Sequence, residues 1–390
     1  MKKFKKLIVI LCSVIVASPL DIPIDLVGRV EFWIKVFGET SKYQRIIHHR
    51  WYPQCIFTTI DFVQEASLLS PSSLKSLIDL SEQESISRVK SSLLKIRDNK
   101  KLDTIFDLNV NEVVESCLKK YRSDAITWTI NEDLVRTQSG VKEKTKVAIE
   151  RSNKYLWFIE NTLKTYGVPD DIKFLPFVES SFNVHAVSKA GAVGMWQFMP
   201  STARIYGLTI NKYVDERKDP YKSTVAAAQY LKDAYNVFGS WPHALISYNH
   251  GVTGLKEKIT KLNLGLDLVK LIENPYNRAL GFASTNFYPS FVAVVHIFKN
   301  YKNFFTDIVL DQPKFFEKHY LAKQLSIYSL STATGLSKDQ LLEYNPQFTP
   351  AVKAGRLALP VHTLVYLPHG VKINYSKVQE ISKKSKKQKK

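Results

Sequence analysis

The chain has 390 residues, 45% of them hydrophobic, 23% charged and 12% aromatic, which is enough apolar material for a buried core and too much for a disordered or collagen-like protein. Its 55 Lys and Arg outnumber 36 Asp and Glu for a net charge of +19. Much of that excess sits at the two ends, in Lys2, Lys3, Lys5 and Lys6 and in Lys383, Lys384, Lys386, Lys387, Lys389 and Lys390, so the body is diffusely basic and no nucleic-acid partner is expected.

Residues 1–18 have the layout of a secretory signal peptide: four lysines, an apolar run from Leu7 to Ala17, then the small pair Ala17 and Ser18. Export to the periplasm or cell envelope is expected, with membrane association if the signal is not cleaved. Leu11 before Cys12 speaks against lipidation. Without Cys12, the pair Cys55 and Cys117 allows at most one disulfide. No stretch reaches the ~18 consecutive apolar residues of a spanning helix.

Residues 19–140 read as an N-terminal helical region, with Val30, Phe32, Trp33, Val36 and Phe37 at helical spacing and amphipathic runs at 74–96 and 102–134. His48 and His49 diverge on either a helix or a strand and have no second ligand pair nearby, so they read as core residues and no metal is expected. A long helix is predicted over 142–166, stopped by Gly167 and Pro169. Helix-sized segments at 223–238, 242–248 and 288–298, broken by Gly and Pro, make residues 141–310 mostly helical. Residues 311–375 hold two short predicted helices, 325–333 and 338–344, and a short strand, 361–367. A solvated basic tail, 376–390, closes the chain. The expected fold class is mainly α.

Chemistry concentrates at residues 176–200. Glu179 ends a short apolar helix predicted over 172–178, in the company of Phe177, Phe182, Met195, Trp196, Phe198 and Met199. Apolar surroundings favour the neutral carboxyl and can raise its pKa into the range of a general acid; the plain alternative is a helix-terminal Glu in solvent. Gly191 and Gly194 bracket a turn that lets backbone approach a ligand, and Gln197 offers both a donor and an acceptor. Asp215, Glu216 and Asp219 are the next acids, and Asp219-Pro220 reads as an N-cap followed by a first-turn proline.

Glu179-Ser180, Gly194-Met195-Trp196-Gln197, Val214-Asp215-Glu216-Arg217-Lys218-Asp219-Pro220 and Ser247-Tyr248-Asn249 with Gly251, in this order, resemble the lytic transglycosylases of the goose-lysozyme-like group, most closely the membrane-bound lytic murein transglycosylase D branch. The resemblance implies a lysozyme-like catalytic domain over 141–310 with Glu179 as the sole catalytic acid and base. It also implies that Ser180, Gly194, Met195 and Gln197 line the sugar cleft and that Tyr248 and Asn249 face the same groove. The substrate implied is the glycan strand of peptidoglycan, cut between N-acetylmuramic acid and N-acetylglucosamine with formation of a 1,6-anhydro ring and with no cofactor. Val184, Ser247 and His250 depart from the family's usual Pro, Ala and Ala. For the family's late-helix Tyr, the candidates are Phe287 and Tyr288; Tyr288 is chosen because its hydroxyl could bond the Glu179 carboxylate. Residues 325–346 resemble a degenerate LysM, a small glycan-binding module, without its Gly-Asp-Thr-Leu opening.

Two other functions compete. Hydrolysis at the same site, as in a goose-type lysozyme, differs only in the attacking group. A non-catalytic wall-binding protein has no need of Glu179. The basic tail is expected either to reach anionic envelope polymers or only to solubilise.

Overall fold

The computed structural model describes residues 20–273 and 280–378, so the expected signal peptide, Cys12 and the tail beyond residue 378 lie outside the described residues. The protein is mainly α, with two small antiparallel sheets among the described residues. It divides into two compact units, one of residues up to Ile149 with Asp233–Val309, the other of Glu150–Lys232 with Leu310 onward. This grouping does not follow the expected block 141–310: its boundaries fall inside the helices Lys142–Ser152 and Pro220–Phe238.

In the first unit the helix Val27–Ile34 packs on Gly281–Lys299, which also packs on Trp241–His250. Asn286 fastens the first pair, its amide oxygen 3.3 Å from Nη1 of buried Arg29 and accepting from Trp33 Nε1 at 3.2 Å, while Arg29 Nε lies 2.5 Å from Glu273 at the end of the helix Leu268–Glu273. The N-terminal region is not all helix: β1 (Gln44–His49) pairs antiparallel with β2 (Ile56–Asp61) and with β3 (Val135–Ser139), in the order β2-β1-β3. The sheet shares a core with the long helix Pro71–Arg97 and with Ile105–Val113 and Ala125–Asn131, and a Cys55–Cys117 disulfide lies within it.

His48 and His49 are fully buried on β1. His48 Nδ1 donates to the His49 carbonyl at 2.9 Å, whereas His49 Nδ1 accepts from the Trp51 and Tyr52 amides at 3.2 Å. Their rings pack on Phe32 and on Tyr52 and Trp128. Burial pushes both down to about 3, so both are neutral core residues.

The second unit begins with helices Leu156–Thr165 and Leu175–Ser180. The single helix expected over 142–166 is two, Lys142–Ser152 and Leu156–Thr165, because the segment between them is drawn into tertiary bonds: Asn153 Nδ2 donates to the Asp311 carbonyl at 2.7 Å. The C-terminal part runs β4 (Glu317–Tyr320), helices Ile327–Thr334 and Lys338–Tyr344, then β5 (Leu364–Leu367), with β4 and β5 paired antiparallel. Both helices were expected; β4 was not. This part shares one core with Tyr213 and Val214, so it is built into its unit.

Candidate active site

Glu179 is next to last in the helix Leu175–Ser180, whose Pro176 occupies the first turn, where its missing N–H costs nothing. The helix stops because Ser181 turns left-handed (φ 55°) and Phe182 follows it (φ 58°). That conformation is costly for residues with a Cβ. Full burial of Phe182, capping bonds from the Ser181 amide to Phe177 and from the Phe182 amide to Pro176, and Arg151 Nη1 on the Ser181 carbonyl at 3.0 Å hold it in place. The Glu179 carboxyl is therefore carried on a stiff, abruptly ended helix. Burial alone raises its pKa, to about 8.

Ser180 joins this helix end to the turn of residues 191–198. Its hydroxyl donates to the Met195 carbonyl at 2.8 Å, and its oxygen accepts from the Asn183 amide at 3.2 Å. Gly194, with φ +87°, lies so close to the Arg217 carbonyl that a Cβ would fall 1.8 Å from that oxygen. No other residue fits there. Met195 and Trp196 are wholly buried, and Trp196 Nε1 donates to Thr224 Oγ1 at 2.8 Å. The Met195 side chain thus packs inside the protein, and its carbonyl is taken by the Ser180 hydroxyl. Gln197 donates Nε2 to the Gly194 carbonyl at 2.8 Å; its Oε1 is the atom left to meet a ligand.

The acids at 215–219 serve structure. Asp219 accepts at Oδ1 from the Tyr221 and Lys222 amides at 2.9 and 3.0 Å, as an N-cap does, and burial pushes its carboxyl up to about 6. Glu216 Oε2 accepts from the Thr209 amide at 2.8 Å, and Asp215 pairs with Arg217.

Tyr248, Asn249 and Tyr288 belong to the other compact unit. Asn249 is exposed on the last turn of Trp241–His250, where its Oδ1 accepts from Ser284 Oγ at 2.8 Å; His250 Nδ1 lies 3.1 Å from the same Ser284 oxygen. Ser284 has one proton, which goes to Asn249, so His250 Nδ1 is the donor in its bond with Ser284. Residue order assigns no role to His250 or Ser284; Ser284 bonds Asn249, and His250 bonds Ser284. The bond expected from Tyr288 to Glu179 is corrected. The Tyr288 hydroxyl is fully buried and donates its one proton to the Asp21 carbonyl at 2.9 Å, in its own unit.

Comparison with known proteins bears on this geometry directly. Residues 157–263 match the Transglycosylase SLT domain. Glu179, Ser180, the 194–197 turn, Tyr248 and Asn249 lie inside the matched stretch, and Tyr288 lies beyond it. Membrane-bound lytic murein transglycosylase D of Escherichia coli K12 is 28% identical over 197 residues, which are 50% of this chain and 43% of that protein. Membrane-bound lytic murein transglycosylase C of Haemophilus ducreyi is 44% identical over 54 residues, 14% of this chain and 15% of that one. The chain spans less than half the length of these relatives. Among solved structures, the 70 kDa soluble lytic transglycosylase of Escherichia coli aligns over 58% of this chain and 44% of its own, with a TM-score of 0.31 and 14% identity.

Proposed function

We propose that the protein is a peptidoglycan lytic transglycosylase that works in the cell envelope. The observation that carries this reading is the Glu179 carboxyl, pushed up to about 8 by burial and set on a stiff helix end inside an SLT domain. At neutral pH it holds a proton to give.

The reaction needs one such group. Protonated Glu179 donates to the glycosidic oxygen between N-acetylmuramic acid and N-acetylglucosamine as the bond from that oxygen to the muramic C1 breaks. The muramic C6 hydroxyl then attacks C1, and the Glu179 carboxylate takes its proton, which closes a 1,6-anhydro ring and restores the acid. The substrate N-acetyl group can assist at C1, so a second protein carboxylate is dispensable. Gln197 Oε1 is the acceptor offered to sugar hydroxyls and amides. Residues 376–390 supply charge for anionic envelope polymers.

Incubating purified murein sacculi with the protein and weighing the released muropeptides tests this. Anhydro ends are expected. Ends heavier by one water would make the protein a hydrolase, and no release would make it a binding protein.

A further inference from the structure

Arg217 is nearly buried, and its guanidinium is shared among three partners. Nε and Nη2 grip the two Asp215 carboxylate oxygens at 2.9 and 2.8 Å. Nη1 donates to the Gly191 carbonyl at 3.0 Å and to the Phe198 carbonyl at 3.3 Å. Those two carbonyls are the ends of the turn whose middle is Gly194 to Gln197, and the Gly194 backbone rests on the Arg217 carbonyl. Arg217 therefore holds the turn at three points, two by side chain and one by main chain.

We propose that Arg217, clamped by Asp215, is a positioning residue that fixes the 191–198 turn against Glu179, and that the C-terminal part of the chain braces this clamp. The inference rests on the reading of Glu179 as the acid. From the turn, the path to Glu179 is one bond long: the Met195 carbonyl accepts from Ser180 Oγ. In the other direction, the Asp215 amide donates to the Gln347 carbonyl at 2.8 Å, Val214 pairs with Phe348, and the Thr349 amide and hydroxyl donate to the Tyr213 and Lys212 carbonyls at 3.0 and 2.8 Å. Three consecutive C-terminal residues thus stitch down the segment that carries Asp215.

Chemistry explains why arginine stands here. A planar fork can satisfy a carboxylate with two parallel N–H bonds and still aim further N–H groups at carbonyls, whereas an ammonium is a point donor on a flexible stem. Since Arg217 is only 7% exposed and its donors are engaged within the protein, it acts through the turn and not on the sugar.

The test compares wild type, Arg217→Lys and Asp215→Asn on murein sacculi, with the folded fraction of each taken from near-ultraviolet circular dichroism in the assay buffer. If the clamp positions the turn, kcat per folded molecule falls at least about tenfold in both variants while KM stays within about threefold, because a displacement of about 1 Å costs up to ~10²-fold in rate. A purely structural role lowers the folded fraction and leaves kcat per folded molecule at the wild-type value; that result overturns the proposal. Should Arg217→Lys not fold, Asp215→Asn decides by the same criterion. Wild type without anhydro product overturns the function and this inference with it, whereas active wild type with unaltered variants overturns only the inference.

Discussion

The Ser180 hydroxyl donates to the Met195 carbonyl at 2.8 Å, so the residue beside Glu179 is bonded to the turn that follows it fifteen positions later. One side-chain bond therefore registers the acid-bearing helix against the Gly194-Met195-Trp196-Gln197 segment. Ser180→Ala removes it and leaves the carbonyl without that donor. We expect stability to fall by about 1 kcal/mol and turnover by about tenfold, measured by urea unfolding and by muropeptide release. Turnover unaltered in Ser180→Ala would mean that the helix and turn keep register without the hydroxyl.

Glu179 sets a pH limit in two ways. As a general acid it must be protonated, so turnover should fall as pH rises through about 8. Its effect on stability has the same direction. A carboxyl whose folded pKa is raised stabilises fully below the ordinary carboxylate range and progressively less as pH rises toward 8, because the unfolded chain ionises first. Glu179→Gln should therefore be more stable than wild type at pH 7.5 by roughly 1 kcal/mol or more and nearly equal to it near pH 4. Thermal midpoints at the two pH values measure this, and a variant less stable at both would contradict it.

Tyr288→Phe separates the two roles considered for that residue. With its proton on the Asp21 carbonyl, Tyr288 holds the chain entering the first helix. Loss of the hydroxyl should cost about 1 kcal/mol of stability and leave kcat within about twofold of wild type, as read from urea midpoints and initial rates.

The Cys55–Cys117 disulfide closes a loop of 62 residues in the first unit. Loop-closure entropy makes it worth about 4 kcal/mol. The double variant Cys55→Ala, Cys117→Ala should lower the midpoint of that unit by that order, and hydrogen exchange of its amides measures this.

Some of this structure was legible in residue order because it rests on local chemistry. Ser337 and Gln340 form a reciprocal capping box at the head of Lys338–Tyr344, and Asp219 caps the helix that Pro220 opens. Glu179 among aromatic neighbours announced its own desolvation. The first sheet was hidden because Ile46, Ile47, His48 and His49 are all buried, so β1 lacks the alternation that marks a half-buried strand. The strand Glu317–Tyr320 was hidden for the opposite reason, being polar and half exposed. Spacing could not show that Arg217 reaches carbonyls nineteen and 26 residues before it, or that Tyr288 turns toward Asp21. Those pairings exist only after the chain has closed on itself.

The central claim is that the Glu179 proton cleaves the glycan. The amide of Glu179→Gln is nearly isosteric with the carboxyl and cannot transfer a proton at neutral pH, so the variant should fold, retain sacculus binding and lose at least about a hundredfold in the rate of anhydro-muropeptide release. A folded Glu179→Gln protein that releases anhydro product within about tenfold of the wild-type rate, a barrier change of only ~1.4 kcal/mol, would contradict the account.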